Sequence, residues 1–132
     1  SIIIYFFGEP GNSSVVSLFI NPSWRYQKDG KVVIGSYDLW LDEDQFSSSE
    51  EYEQRFDYLC SLTDNVHQAE LLACDIDFES FDLTLQFSNG QSIRSFANSA
   101  FVHTQWTYRN VPKQIYAHVS PLGIEIEAPK KK

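Results

Sequence analysis

The stretch Leu83-Thr84-Leu85-Gln86-Phe87-Ser88-Asn89-Gly90-Gln91-Ser92-Ile93-Arg94-Ser95-Phe96 decides the fold class. Phe81, Leu83, Leu85 and Phe87 alternate with Asp82, Thr84 and Gln86, the period of a strand with one buried and one wet face. Asn89-Gly90 suits a tight hairpin, because both central residues of such a turn take positive φ. Residues 91–96 are then the return strand. Downstream, residues 101–108, 114–119 and 122–127 read as further strands, separated by Asn110-Val111-Pro112 and Ser120-Pro121. Upstream, Leu72, Cys74, Ile76 and Phe78 alternate with Ala73, Asp75 and Asp77. Nearer the N-terminus, residues 1–7 form a continuous β-branched and aromatic run, read as a buried strand closed by Gly8-Glu9-Pro10-Gly11-Asn12. Residues 14–20 and 24–27 are the next extended segments, interrupted by Asn21-Pro22. Lys28-Asp29-Gly30 is a second hairpin turn, and residues 31–37 return from it. Gly35 inside that strand suggests a bulge or a close backbone approach.

One segment changes period. Ser48 is placed as an N-cap with Glu51 three residues on, a capping box. Tyr52, Phe56 and Leu59 follow as one helical stripe. Glu50, Glu51 and Glu53 sit where the helix dipole favours carboxylates. The spacing predicts one main helix over about residues 49–62. The expected fold is α+β and predominantly antiparallel β, a curved sheet or half-barrel with this helix packed on it. A chain of 132 residues is expected to be a single domain over residues 1–132, with 128–132 a disordered tail.

Composition narrows the function classes. Hydrophobic residues at 42% are too many for disorder. A sequence pI near 4.7 speaks against nucleic acid and anionic membranes as partners, since both would repel the chain. Residues 2–7 are far too few for a membrane span and carry no basic leader, so a cytoplasmic location is expected. Cys60 and Cys74 are read as reduced and packed. The charge is uneven: residues 38–82 hold fourteen of the eighteen carboxylates and one basic residue, Arg55, for a net −13. An acidic block of that density points to a basic partner.

Chemistry finds less support. His67, His103 and His118 fall in no metal-ligand spacing. Asp75, Asp77 and Glu79 stand at strand spacing and offer a weak Ca²⁺ or Mg²⁺ face, without the glycine and closing glutamate of an EF-hand loop. No Gly-x-Ser-x-Gly elbow appears, and neither cysteine lies in a catalytic motif. Gly30-Lys31 and Gly35-Ser36 do not complete a phosphate loop. Asp42, Glu43 and Asp44 supply paired carboxylates but no sign of a cleft. No cofactor is expected, and no enzyme.

Binding suits the residues better. Trp40-Leu41-Asp42-Glu43-Asp44-Gln45-Phe46 sets large apolar groups beside three consecutive carboxylates, between a strand and a helix. An apolar anchor rimmed by charge is a common way to build a protein interface. The expected partner contacts are Trp40, Asp42, Glu43, Asp44, Phe46, Glu50, Glu51, Glu53, Asp75 and Asp77.

The segment Ser17-Leu18-Phe19-Ile20-Asn21-Pro22-Ser23-Trp24-Arg25-Tyr26, followed by Ile34-Gly35-Ser36-Tyr37-Asp38, resembles small bacterial proteins of polymorphic toxin loci. Those carry a strand ending in Pro-Trp-Arg or Cys-Pro-Trp-Arg, a hairpin and a Val-Gly-Ser-x-Asp strand. Here Ser23 separates Pro22 from Trp24, and no cysteine precedes them. Leu83-x-Leu85-x-Phe87-x-Asn89-Gly90 and Trp106 also fit the layout, so the resemblance spans about residues 14–110. It implies a cytoplasmic immunity protein that binds and blocks a sibling toxin domain, with no catalytic residues. Trp24, Arg25, Gly35, Ser36, Asp38 and Trp106 would be structural, with Arg25 meeting Asp38 and the two tryptophans packed beneath. The variable acidic stretch would carry the toxin contacts.

Three readings follow. The first is a non-enzymatic inhibitor of a basic toxin domain. The second is an interaction domain that dimerises through a strand edge such as residues 2–7. The third is a divalent-metal enzyme using Asp75, Asp77 and Glu79.

Overall fold

Ten β-strands and one α-helix are found among the described residues of the computed structural model, which are 2–7, 16–64, 66, 69–97 and 104–129, the Phe7 side chain excepted. The strands are β1 (Ile2–Phe7), β2 (Val16–Ile20), β3 (Trp24–Lys28), β4 (Lys31–Gly35), β5 (Leu71–Ile76), β6 (Leu83–Phe87), β7 (Gln91–Ser95), β8 (Trp106–Asn110), β9 (Ile115–Ser120) and β10 (Gly123–Glu127). The helix is α1 (Ser49–Ser61). The turn expected at residues 8–12, the start of the strand expected at 101, His67, His103 and residues 130–132 lie outside the described residues.

The fold is α+β and mostly antiparallel, and the strands divide between two open sheets of five. Two compact units contain them. One comprises Ser1–Pro22, Asp77–Asp82 and Ser95–Lys132; the other comprises Ser23–Ile76 and Leu83–Arg94.

In the first unit the strand order is β1-β2-β8-β9-β10. One register row crosses all five strands: Ile2, Ile20, Trp106, Val119 and Ile124. Directly opposed residues of antiparallel strands share a face, so this row is a continuous apolar band. Burial falls toward its ends. Ile20 and Val119 are fully buried, Trp106 nearly so, and Ile124 on the edge strand is 44% exposed. The Trp106 indole Nε1–H donates to the Phe81 carbonyl at 3.0 Å, which satisfies its one donor. The expectation of a buried first strand needs correction. Among the described residues β1 pairs with β2 alone and stands at the edge of its sheet, and Ile3 and Tyr5 are exposed.

In the second unit the order is β4-β3-β7-β6-β5. Both predicted hairpins are present, with positive φ at Asp29 and Gly30 and at Asn89 and Gly90. They are tied to each other, because the Asp29 N–H donates to the Gly90 carbonyl at 2.9 Å. A Cβ at Gly90 would run into the Asp29 carboxylate, so close approach reinforces the backbone demand for glycine. The bulge expected at Gly35 sits at Val33, where the pairing of β3 with β4 steps from Ile34 to Val32. Trp24, Tyr26, Ile34, Leu83, Leu85, Phe87 and Ile93 are buried apolar residues of this unit. Gln91 is buried too, and its Oε1 accepts from the Tyr26 hydroxyl at 2.6 Å. Burial raises the Tyr26 phenol above its ordinary value.

Helix α1 begins at Ser49 as predicted, but the return half of the predicted capping box falls on Ser47 instead of Ser48. The Ser48 hydroxyl accepts the Glu51 N–H at 3.2 Å, while the Glu51 carboxylate reaches back to the Ser47 N–H and hydroxyl. Ser48→Ala should cost about 1 kcal/mol of unfolding free energy in urea denaturation. The Ser47 bonds lower the Glu51 pKa below the usual carboxylate range. A lowered folded value means the support is present above the unfolded value and lost as pH falls through the folded one. Acid titration of helical circular dichroism should therefore show a loss at a pH below the usual carboxylate range, and Glu51→Gln should abolish that step. The predicted stripe is less buried than expected. Leu59 is 6% exposed, but Phe56 is 37% exposed.

Candidate functional site

The acidic aromatic segment is built at the end of β4. Asp38 folds back so that its Oδ2 accepts the Gly35 N–H at 2.8 Å, ending the strand and starting a 3-10 turn, Ser36–Leu39. The Ser36 hydroxyl accepts the Trp24 N–H at 3.1 Å and anchors that turn to β3. Arg25, expected beside Asp38, donates from Nε to Gln27 Oε1 at 3.1 Å. With the turn fixed, two aromatics project into solvent. Tyr37 is 80% exposed and Trp40 is 81% exposed. Their ring centroids are 6.0 Å apart and tilted by 46°, within the range of favourable aromatic pairs.

A second 3-10 turn, Glu43–Gln45, follows. Asp42 Oδ1 accepts the Asp44 N–H at 3.0 Å, so Asp42 has a structural duty as well as a charge. Glu43 and Asp44 are exposed. Phe46 is half-buried and meets Tyr52 edge-on at 5.5 Å, so it also braces the loop. Leu39, Trp40, Leu41, Asp42 and Tyr52 line a hollow of ≈ 350 Å³ open to solvent.

Glu50, Glu51 and Glu53 are exposed at the start of α1, and Asp75 is exposed on the edge strand β5. The unit holding all of these carries twelve carboxylates against five basic residues, a net −7 of the chain's −8. Asp77 departs from the predicted pattern. β5 ends at Ile76, and Asp77 Oδ1 accepts the N–H groups of Glu79 and Ser80 at 2.9 and 3.3 Å, shaping a turn. The strand spacing that would set Asp75, Asp77 and Glu79 on one face stops there. Among the described residues no group of three metal-ligating side chains comes together.

Two exposed aromatics escape sequence reasoning. The hydrophobic pattern places Tyr37 inside a strand. The signal against that is Asp38 three residues after Gly35, an acceptor placed to cap a turn. Phe78 fits an alternating strand in sequence, yet it is 73% exposed in the turn that Asp77 shapes.

Both cysteines are free, and both are exposed rather than packed. Partial burial raises the thiol pKa of each, helped by Asp57 and Asp64 at Cys60 and by Asp75 at Cys74. The thiolate is the nucleophile, so alkylation by iodoacetamide at neutral pH should be slower at both than for free cysteine. Mass spectrometry of the time course checks this; labelling at the free-cysteine rate would contradict it.

No helix among the described residues is long and apolar enough to cross a membrane. No protein-family model, curated protein or solved structure matches this chain.

Proposed function

We propose that this chain is a non-enzymatic immunity-type protein, which binds a basic bacterial toxin domain through the Tyr37–Tyr52 loop region and neutralises it in the cytoplasm. One observation carries the reading. Two large aromatics, Tyr37 and Trp40, stand about four-fifths exposed and paired amid Asp38, Asp42, Glu43 and Asp44. Rings left in water forgo the stabilisation that burial would provide, and tryptophan and tyrosine are the side chains that dominate interface energetics. The surrounding carboxylates select a cationic partner and speed its approach. The resemblance of the Trp24-Arg25 and Gly35-Ser36-x-Asp38 segments narrows that partner to a toxin domain.

A growth test decides. The product of the adjacent gene is expressed alone in a sensitive host and then together with this chain. Killing alone and survival together support immunity. No toxicity, or toxicity unrelieved, removes the reading.

A second reading has its own observation. β1 is an edge strand with Ile3 47% and Tyr5 40% exposed, an arrangement open to pairing with another copy. Sedimentation separates the two. An apolar strand-edge dimer persists as salt rises, whereas capture of a basic partner slows.

A further inference from the structure

We infer that the hollow between Trp40 and Tyr52 is a binding site for a single arginine side chain of the protein partner; this rests on the proposed binding role and specifies its chemistry. The lining has three kinds of group. Trp40 and Tyr52 are aromatic, Leu39 and Leu41 are aliphatic, and Asp42 is a carboxylate. An arginine suits that set better than other side chains. Its methylene stem lies against aliphatic surface, its guanidinium stacks on aromatic rings, and its donors fit a carboxylate.

Asp42 is held ready for this. Oδ1 is engaged by the Asp44 N–H at 3.0 Å, which restrains the side chain before any ligand arrives. A carboxylate held by its own backbone need not be ordered on binding, so less entropy is lost. Tyr52 is steadied in turn by the Phe46 ring against it. Charge supplies the long-range preference. The unit carries a net −7, with Glu43 and Asp44 exposed on the turn that follows Asp42. A neutral apolar side chain would gain from the leucines and rings but leave Asp42 without a counter-charge. A lysine would gain the charge without planar stacking.

The test uses the whole chain and two probes, the peptide acetyl-Gly-Arg-Gly-amide and its neutral citrulline counterpart. The Trp40 indole N–H is followed by NMR at constant ionic strength, assigned by its loss in Trp40→Phe. The arginine peptide should shift it saturably, and the citrulline peptide should bind about fivefold more weakly or not at all. Asp42→Asn should reduce arginine binding to the citrulline level, while the amide oxygen it introduces still accepts the Asp44 N–H and keeps the turn. Equal binding of the two peptides, no response at tens of millimolar, or full binding by Asp42→Asn would each overturn the site. Growth protection is scored on the wild-type chain in parallel. Protection without an arginine response sinks this site and leaves the immunity reading standing; an arginine response without protection does the reverse.

Discussion

Trp24→Ala is expected to lower the unfolding free energy by about 3–5 kcal/mol, the range for deleting a buried aromatic. Trp24 is 2% exposed at the start of β3, a strand flanked on both sides in its sheet. Close-packed interiors relax only partly around a deletion, so the loss combines transfer energy with a cavity. The indole Nε1 has no hydrogen-bond partner among the described residues, so the substitution breaks no side-chain hydrogen bond. Trp24→Phe should therefore cost much less, because it keeps an aromatic ring and removes a buried donor without a partner. Urea denaturation followed by circular dichroism measures both, with an unchanged slope expected if the unfolded states match. Native stability in Trp24→Ala would mean that the side chain is not part of a packed core.

The second large effect concerns binding. Trp40→Ala combined with Glu43→Lys and Asp44→Lys should abolish growth protection while leaving the fold intact. All three side chains are exposed, and the Asp44 bond to Asp42 uses the backbone N–H, which survives substitution. Asp42 is left in place because its carboxylate caps the turn, and a lysine there would confuse loosened folding with lost binding. An interface tryptophan is worth about 2 kcal/mol or more, a loss of roughly thirtyfold in affinity. The two reversals act mainly on the association rate and most strongly at low salt. Surface plasmon resonance against the captured partner at two ionic strengths separates these contributions. A triple variant that associates and protects like the wild type would take this loop out of the interface.

The antiparallel class, the helix and both hairpins follow from local features of the chain. The Asn89-Gly90 and Asp29-Gly30 pairs demand positive φ, and the observed turns supply it. The Ser48 cap sets the helix start to the residue, because the bond its hydroxyl accepts from the Glu51 N–H spans only three positions. The acidic segment is equally legible, since charge is read by counting. The roles within it are not. Trp40 and Phe46 look alike in sequence, large aromatics on either side of three carboxylates. One is 81% exposed, and the other rests against Tyr52. Asp77 looks like a member of a strand face, and the chain turns one residue earlier.

The periods, the turns, the cap and the placement of charge are written in the chain locally, because each is a property of residues within a few positions of one another. Which strands became edges, the division into two sheets, and which aromatics stay in water depend on long-range packing. Edge status and burial depend on which strand lies alongside. That neighbour can come from far along the chain, as when Ile20 of β2 is covered by Trp106 of β8, and no local pattern records it.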